Sequence, residues 1–422
     1  MPPDRKLKVI IAGAGIAGLS AAIALQRLPY LDVELYEQAP ELKEIGASIA
    51  LSPNGLRTLE KLGVFNALGD EVAFRGPSGV PMIYRHWKTN QIVHQEHFVD
   101  VPVHRHQTAR FHRGHLHAAL LQHVPSEQIH LNKKTVSASV DSEKAALFFA
   151  DGTSVQGDIL IGADGIHSKV RQSFLPDHRP KWTNKVFFRS TFDTSLVEGI
   201  SDLPRDSAHW WGPTENFFAS RLGKNQYTTV ANFDVTDIPE KVSKNLDWNA
   251  EGNVQFLKDK FKDWNPVVRA LIDATPYTRV YPNFAGEPLP TWIFGSRVTL
   301  VGDAAHTHGG AFAAGGSLAI DDAYALYLAF NHVFSVNQAD FAAGRIEHAL
   351  RLYDKTRRPH TERLLNIVIK GIGQAQVEPS ESALVHRFKN KPDTTWLSEH
   401  DVEKAFTDVV SRADVPGRAS KI

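Results

Sequence analysis

Residues 8–27 read KVIIAGAGIAGLSAAIALQR, an apolar strand followed by a glycine-rich turn and then by small and apolar residues with helical spacing. This order is the dinucleotide-binding fingerprint GxGxxG. Gly13 permits the tight turn, Gly15 lets a diphosphate approach the backbone, and Gly18 lets the helix pack closely against the strand. The free N–H groups at the start of the helix then face the phosphates. The stretch therefore predicts a Rossmann-like α/β domain.

A second strand and a terminal acid support this interpretation. Residues 33–36 read VELY and are followed by Glu37, about twenty residues past the glycines, where a carboxylate can bind ribose hydroxyls. The strand, turn, helix, second strand and acid occur in the expected order, so the fingerprint is not an isolated match.

Two later apolar strands also end in acidic residues. Residues 158–165 read DILIGADG and place Asp164 after a strand, and residues 297–306 read RVTLVGDAAH and do the same for Asp303. Ligands of open α/β sheets bind at the carboxyl ends of the strands. A helix that begins at Gly316 or just before it offers backbone donors to negative charge on a ligand. We therefore expect these residues at the ligand-binding edge of the sheet.

A second kind of pattern begins at residue 181. Short runs rich in aromatic and β-branched residues alternate with turns up to residue 281, which predicts an inserted mixed or antiparallel sheet. Trp210, Trp211, Phe217 and Phe218 either line an aromatic pocket or pack within this sheet. The predicted division is a nucleotide-binding domain at 1–180 with part of the second layer at about 66–107, a sheet domain at 181–285, a return to the first domain with long helices at 286–375, and a tail at 376–422.

The C-terminal part is predicted to be largely helical between residues 324 and 373. We expect interruptions at residues 331–334, which contain weak helix formers, and at Pro359, which lacks an N–H group. These helices are compatible with either a monomer or a homodimer.

Composition limits the function classes. The 422 residues include 47 Lys and Arg against 47 Asp and Glu and no cysteine, so neither a nucleic-acid bias nor a thiolate metal site is indicated. The histidines at 104–106 and 112–117 lack carboxylates at matching spacing, so no metal is predicted. No run approaches about 18 apolar residues, and no signal peptide is evident. We expect a cytoplasmic enzyme without a membrane span.

The three motifs together resemble those of the flavoprotein aromatic monooxygenases of the para-hydroxybenzoate hydroxylase fold, nearest to salicylate hydroxylase and its fungal relatives. They are GAGIAGL at 13–19 with Glu37, GADG at 162–165 and GDAAH at 302–306, and the resemblance spans residues 8–370. It implies bound FAD, NADH or NADPH as reductant, and O₂ as oxidant. It also implies hydroxylation of a small phenolic substrate through a flavin C4a-hydroperoxide, without a separate nicotinamide domain.

The resemblance also implies roles for single residues in an FAD-binding domain. Glu37 is similar to the acid on the adenosine ribose, Arg113 to the arginine that reaches the flavin side chain and phosphates, and Asp303 to the aspartate on the ribityl chain. Asp164 matches the aspartate near the flavin and nicotinamide routes. Two small residues match as well: Ala50 in the loop after the second strand, and Gly316 facing the flavin pyrimidine edge. The chain departs from the family at Gly310, where relatives usually carry a proline, which leaves the pocket shape open.

The catalytic candidates come from residue type. Arg189 lies among aromatic residues of the predicted sheet and either pairs with a substrate carboxylate or phenolate or forms a structural ion pair. His306 and His308 flank the presumed flavin loop, and each is either a base or proton relay near neutral pH or a loop histidine that bonds backbone.

Three functions remain compatible with these motifs. The first is hydroxylation of a salicylate-like acid or of a larger phenolic metabolite. The second is an FAD-dependent oxidase or dehydrogenase that inserts no oxygen, since it would share every FAD motif. The third is a non-catalytic FAD-binding protein. Transfer of oxygen from O₂ to the product separates the first function from the second, and turnover of NADH or NADPH excludes the third.

Overall fold

The computed structural model describes residues 6–42, 47–237, 249–335, 343–372 and 380–413. Strands occur from residue 7 to residue 300 in these ranges, and the part that follows is helical. The strands are β1 (Leu7–Ala12), β2 (Leu31–Tyr36), β3 (Ser48–Leu51), β4 (Ile83–His86), β5 (Ile92–Gln95), β6 (Ala109–His112), β7 (Ile129–His130), β8 (Thr135–Val140), β9 (Ala145–Phe149), β10 (Ser154–Gly157), β11 (Ile159–Gly162), β12 (Lys181–Asp193), β13 (Ala208–Trp211), β14 (Asn216–Leu222), β15 (Gln226–Asp234), β16 (Ala250–Glu251), β17 (Arg279–Ala285), β18 (Ile293–Phe294) and β19 (Val298–Leu300).

Helices follow several of these strands and form the C-terminal part. Two single 3₁₀ turns, Gly302–Ala304 and Ala311–Ala313, lie between the last strand and the next helix. The α-helices are α1 (Ile16–Leu25), α2 (Pro53–Lys61), α3 (Arg113–Leu121), α4 (Lys169–Phe174), α5 (Val254–Lys260), α6 (Pro266–Ala274), α7 (Gly315–Phe334), α8 (Ala343–Ile372), α9 (Glu381–Lys389), α10 (Thr395–Ser398) and α11 (Val402–Ala413).

β1 belongs to a six-stranded sheet with the order β18-β19-β11-β1-β2-β7. Neighbouring strands are parallel except at the edge, where β18 runs antiparallel to β19. Val9, Ile10 and Ile11 are fully buried, as expected for a central parallel strand with both faces covered. The predicted strand, glycine-rich turn, helix and second strand are confirmed. Because β1, β11 and β19 are adjacent and parallel, the three motifs meet at one edge of this sheet.

An eight-stranded sheet has the order β16-β17-β12-β15-β14-β13-β4-β5. Its neighbours are antiparallel except for β13 and β4, which run parallel. The predicted mixed sheet is thus confirmed, and its edge includes the two short strands from residues 83–95. Two small antiparallel sheets, β10-β9-β8 and β3-β6, complete the strand architecture.

The two faces of the eight-stranded sheet have different neighbours. Trp210 and Phe217 are fully buried in a core with α5 and α6. Since side chains alternate along a strand, Trp211 and Phe218 lie on the opposite face, where the Arg110 guanidinium of β6 is 5.7 Å from the Phe218 ring centroid. Of the two alternatives predicted for these aromatic residues, packing within the sheet therefore applies to Trp210 and Phe217, whereas Trp211 and Phe218 lie on the face opposite this core. We call this opposite face the inner face; by cross-strand register it carries Tyr84, Phe187, Arg189, His209, Trp211, Asn216, Phe218, Val230, Asn232 and Tyr281.

Helix α7 continues through residues 331–334, where a break was predicted. Phe330 and Phe334 are one turn apart and fully buried, with ring centroids 6.0 Å from each other. Packing of this apolar side outweighs the weak helix propensity of the intervening residues. The predicted interruption is therefore wrong.

Helix α8 likewise continues through Pro359. Proline leaves the carbonyl of Lys355 without its helical partner. Both residues are exposed, so this carbonyl is on the solvent side of the helix, while Leu350 and Leu364 on the other side are fully buried. The interruption predicted at Pro359 is also wrong, because the buried side holds the helix together.

The C-terminal helices contact both parts of the molecule. On α9, the ring of Phe388 stacks on Trp211 of the inner face at 4.8 Å, and on α11 Val402 and Phe406 join the core formed with α7 and α8. Residues 376–379 and 414–422 of the predicted tail lie outside the described residues. In the part of the chain that the structure describes, no helix is both long and apolar enough to cross a membrane.

Candidate active site

The glycines of the first turn differ in what surrounds them. Gly13 has a φ of +100°, and a Cβ atom there would lie 2.6 Å from the carbonyl oxygen of Ala163; a Cβ on Gly18 would lie 2.0 Å from that of Gly13. A Cβ on Gly15 would meet nothing within 4 Å. Packing within the protein therefore requires Gly13 and Gly18, whereas the space beside Gly15 is open to a ligand.

Helix α1 starts at this open space. Gly15 is its N-cap residue, no side chain caps the helix, and its first turn contains no acidic residue. The first N–H groups of a helix have no intrahelical partner and carry partial positive charge. The turn therefore fits a diphosphate, which needs close backbone approach and several N–H donors.

Glu37 is held next to the same turn. Its Oε2 atom accepts a hydrogen bond from the backbone N–H of Ala14 at 2.8 Å, and Oε1 accepts one from that of Ala39 at 2.9 Å. Each carboxylate oxygen retains a further acceptor position, and the side chain is half-buried. This geometry fits a carboxylate that binds ribose hydroxyls beside the diphosphate.

Asp303 lies in the 3₁₀ turn after β19. Gly302 has a φ of +59°, and a Cβ atom there would be 2.8 Å from that of Ala17, so this turn packs directly on the first turn of α1. Protein atoms surround Asp303 closely enough that burial raises the pKa of its carboxyl, and yet its side chain is exposed to solvent. Both observations fit a carboxylate that lines an open cleft.

Arg113, the first residue of α3, connects the two sides of this cleft. Its charge is close enough to Asp303, Arg189 and Tyr281 to shift the pKa of all three side chains. We call the space bordered by Asp303, Arg113, Arg189 and Tyr281 the cleft. The six-stranded sheet supplies Asp303, and the inner face supplies Arg189 and Tyr281.

Asp164 is used within the protein. Its Oδ2 atom accepts hydrogen bonds from the backbone N–H groups of Lys169 at 2.6 Å and Val170 at 3.0 Å, and Oδ1 accepts one from the Ser168 hydroxyl. Burial nevertheless raises the pKa of this carboxyl. Asp164 therefore fixes the start of α4. The role that the resemblance implies for it, near the flavin and nicotinamide routes, stays a prediction.

Arg171 is a positioning residue that motif spacing did not single out. It is 2% exposed, and its guanidinium donates to the carbonyls of Ile166 at 2.6 Å, Asp303 at 3.2 Å and Ala304 at 2.8 Å. It thereby joins the GADG motif to the GDAAH motif. Its place six residues past Gly165 gave no sequence signal for this contact.

The start of α7 forms another wall of the site. A Cβ atom on Gly316 would lie 2.8 Å from Cδ1 of Ile49, so the helix packs directly against β3, on which Ala50 is 7% exposed. A Cβ on Gly315 would be 3.8 Å from Oδ1 of Asp303. The uncapped N-terminus of α7 is thus close to the cleft, and the role expected for Gly316 stays a prediction.

The loop before α7 has an unusual backbone. Gly309, Gly310, Phe312 and Ala313 have φ values of +65°, +72°, +53° and +52°. A proline has φ near −65°, so the departure from the family at Gly310 is required by this conformation. A Cβ on Gly310 would be 4.0 Å from Cε2 of Phe187, which places the loop against the inner face.

Arg189 lies on β12 within this wall. Its guanidinium carbon is 5.2 Å from the Phe187 ring centroid and 5.6 Å from that of Tyr281, and its buried Nε has no hydrogen-bond partner. Burial lowers the pKa of Arg189, the Tyr281 hydroxyl opposes this shift, and Arg113 adds to it. Among the described residues, no carboxylate forms an ion pair with it. The structural ion pair considered for Arg189 is therefore absent from these residues.

His306 and His308 are buried beneath the loop, and the charge of His306 is close enough to Asp303 to lower the pKa of that carboxyl against the larger effect of burial. His306 is 1% exposed, and its Nε2 is 2.6 Å from Oδ2 of Asp322, which also accepts the N–H of Gly302 at 3.0 Å. Arg357 Nε donates to the other oxygen of Asp322 at 2.9 Å. Burial opposes ionisation of Asp322, but His306 and Arg357 outweigh it and lower the pKa of this carboxyl. His306 is thus part of an ion-paired cluster that fixes the Gly302 turn.

His308 is 3% exposed, and the backbone of Thr361 is close enough to its ring to act on its pKa, although among the described residues neither ring nitrogen has a hydrogen bond of good geometry. Burial, followed by the charge of His306, holds the pKa of its imidazole well below the usual range. A general base must reach the proton that it removes, and the burial of both rings argues against such contact; the expectation that His306 or His308 acts as a base stays a prediction. Over the described ranges, no group of three or more His, Asp or Glu side chains is arranged to hold a metal ion.

The comparisons with known proteins agree with this geometry. The family model of the FAD binding domain matches residues 6–184 and 285–367. The 6-hydroxynicotinate 3-monooxygenase of Bordetella bronchiseptica is 31% identical over 368 residues, which cover 86% of this chain and 90% of that enzyme. The salicylate hydroxylase of Pseudomonas putida is 26% identical over 379 residues, 86% of this chain and 84% of that enzyme.

A solved salicylate hydroxylase substrate complex shares the fold, with a TM-score of 0.77 at 21% identity over 96% of this chain and 98% of that one. The two relatives named above are bacterial, so the expected place nearest to fungal enzymes stays a prediction. The motifs, their meeting at one sheet edge and the similarity over most of the chain lead to the same conclusion. The chain belongs to the FAD-dependent aromatic monooxygenases.

Proposed function

We propose that this enzyme hydroxylates a phenolic ring that carries a negative charge, such as a salicylate-like acid, with NADH or NADPH as reductant and O₂ as oxidant. The observation that supports this substrate class is Arg189, a guanidinium without a carboxylate partner beside the loop at the cleft. Arg189 is half-buried, and its Nε is shielded from solvent without a hydrogen-bond partner among the described residues, which is unfavourable. An anionic group on the substrate would supply the missing partner.

The residues for the cofactor have the chemistry that FAD requires. When bound, FAD accepts hydride from the nicotinamide and activates O₂ for transfer to the ring, which is chemistry that no side chain supplies. The open turn at Gly15, the acceptor positions of Glu37 and the exposed carboxylate of Asp303 fit a diphosphate and its hydroxylated chains. The proposed contacts are Gly13, Gly15, Gly18, Glu37, Ala50, Arg113, Asp164, Asp303 and Gly316.

The protein itself orients the ring and selects its charge state. Arg189 would pair with a carboxylate or stabilise a phenolate, and a phenolate is the more reactive form of the ring toward an electrophilic oxygen. Phe187 and Tyr281 are cross-strand partners next to Arg189, with ring centroids 5.2 and 5.6 Å from its guanidinium carbon, and would exclude water from the ring. We propose positioning within the cleft, rather than a histidine base, as the contribution of these residues.

The test is oxygen transfer. Purified enzyme is supplied with NADH or NADPH and with salicylate or 6-hydroxynicotinate under ¹⁸O₂. We expect ligand-stimulated oxidation of the reductant and one ¹⁸O atom in the product. Stimulated oxidation with H₂O₂ and no labelled product would favour the oxidase or dehydrogenase alternative. A protein that binds FAD without turnover would favour the non-catalytic alternative.

The remaining expectations are part of the same proposal. We propose domain boundaries at 1–180, 181–285, 286–375 and 376–422, with residues 66–107 contributing to the substrate layer. A cytoplasmic location and a monomer or homodimer also stay predictions. A larger phenolic metabolite is the alternative substrate, since the inner face extends well beyond Arg189.

A further inference from the structure

Two asparagines on the inner face differ in their partners. Asn216 on β14 and Asn232 on β15 lie directly opposite each other. Oδ1 of Asn216 accepts a hydrogen bond from Nη2 of Arg387 on α9 at 3.4 Å. Asn232 is half-buried, its Oδ1 is shielded from solvent, and within the described residues neither of its amide atoms has a hydrogen-bond partner. A shielded amide oxygen without a partner is rare and energetically unfavourable in a folded protein.

The position of Asn232 relates this amide to Arg189. Asn232 is directly opposite Phe187, and Val230 is directly opposite Arg189, so Asn232 and Arg189 are diagonal neighbours on one face. The backbone positions of such diagonal pairs are about 7–8 Å apart. A single aromatic ring with two polar substituents spans a distance of this order. The Arg189 guanidinium and the Asn232 amide are therefore neighbours on the inner face. Each has one shielded atom, Nε of Arg189 and Oδ1 of Asn232, without a hydrogen-bond partner among the described residues.

We propose that Asn232 is a second substrate contact, which binds a hydroxyl group of the ring while Arg189 binds the anionic group. The proposal rests on the proposed function, because it assumes that an aromatic acid occupies the cleft. An amide can present its oxygen or, after rotation by half a turn, its nitrogen. A hydroxyl group donates and accepts, so it matches either orientation. The substrate class is thereby narrowed to hydroxylated aromatic acids, in preference to acids without a second polar group.

A purely structural role for Asn232 makes a different prediction. If Asn232 only fills space next to Phe187, its replacement changes the binding of every ring to the same extent. If it bonds a hydroxyl, its replacement affects only ligands that carry this group. The two roles are therefore separated by matched ligands rather than by activity alone.

The experiment measures ligand Kd with the FAD-loaded enzyme in the absence of reductant, from the change in flavin absorbance. The ligand pairs are 4-hydroxybenzoate with benzoate and 6-hydroxynicotinate with nicotinate, in which the hydroxyl group is para to the carboxylate. In Asn232→Leu we expect the Kd of the hydroxylated member to rise roughly 2- to 12-fold, the range for one neutral hydrogen bond, with no change for the other member. Asn232→Ser, which keeps a hydroxyl group, should recover part of the loss.

Asn66→Leu is the matched control. Asn66 is remote from the inner face and bonds the carbonyl of Ala119 and the side chains of Gln122 and His123. It should leave both members of each pair unaffected. Equal losses for both members in Asn232→Leu, or no loss for either, would overturn the assignment while the proposed function stands. If wild-type enzyme binds no member of either pair, the proposed substrate class fails, and the role of Asn232 fails with it.

Discussion

Alanine at the glycines of the first turn is expected to have opposite effects on folding and on cofactor binding. Gly15 has ordinary backbone angles, with φ −73° and ψ −173°, and its Cβ position is open. At Gly18, a Cβ atom would be 2.0 Å from a backbone oxygen that cannot rotate away. Gly15→Ala should therefore fold normally and bind FAD weakly, whereas Gly18→Ala should fail to fold stably.

The magnitudes follow from these contacts. In Gly15→Ala the gain from a less flexible unfolded chain, about 0.4–1 kcal/mol, is offset because alanine is a poorer N-cap than glycine, so the apoprotein should stay within about 1 kcal/mol of wild type. A methyl group at the diphosphate would displace at least one charge-assisted hydrogen bond, about 1.5–3 kcal/mol. The Kd for FAD should then rise about 10- to 150-fold. Gly18→Ala should cost about 3 kcal/mol or more.

Two measurements test this pair of variants. Urea denaturation of the apoproteins, followed by circular dichroism, gives the free energy of unfolding, and titration with FAD, followed by quenching of flavin fluorescence, gives Kd. Gly18→Ala serves as the control for a change that acts through packing. A Gly15→Ala apoprotein as unstable as Gly18→Ala, or a Gly15→Ala protein with wild-type affinity for FAD, would refute the reasoning.

Three further predictions concern charged residues. Glu37→Ala should raise the Kd for FAD about tenfold or more, through loss of a charge-assisted contact, and unchanged flavin content after purification would remove this assignment. Arg189→Ala should raise the KM for the aromatic acid at least about tenfold with flavin content unaltered, and Arg189→Lys should recover part of the loss; normal KM values would contradict an anion contact. Asp322→Asn should lower the free energy of unfolding by about 3–5 kcal/mol at neutral pH, because Arg357 and His306 lose a buried partner. The pKa of Asp322 is lowered in the folded protein, so its carboxylate stabilises the fold fully above the usual carboxyl pKa, about 3.9. This stabilisation is lost as the pH falls further. The free energies of unfolding of variant and wild type, measured by urea titration, should therefore converge in acid.

The positions of the residues proposed to bind the cofactor could be predicted from the sequence because their determinants are local. Gly13, Gly15, Gly18 and Glu37 belong to one continuous strand-turn-helix-strand unit, in which spacing fixes position. The same holds for Asp303, which directly follows a buried strand. Strand alternation also separates Trp210 from Trp211, a distinction that needs only the register of one strand.

The substrate side depends on contacts that no local pattern contains. The sequence around His306 and His308 has no period that would show which way the side chains point, and their burial is set by Asp322 and Arg357 from two later helices. The positive φ of Phe312 is equally unpredictable, since non-glycine residues rarely adopt it. For these residues the tertiary structure, not the local sequence, decides the outcome.

The charges around the cleft are balanced at every position except one. Asp322 is paired with His306 and Arg357, Asp164 is capped by backbone N–H groups, and Asp303 faces Arg113. Arg189 alone of these groups has neither a carboxylate partner among the described residues nor a hydrogen bond at its buried Nε. Shielding Nε from solvent without a partner is unfavourable unless another group compensates it. Because the neighbouring side chains of Arg189 are aromatic rings, the proposed substrate anion would supply this compensation, and the same contact would align an aromatic ring with the loop at Gly310.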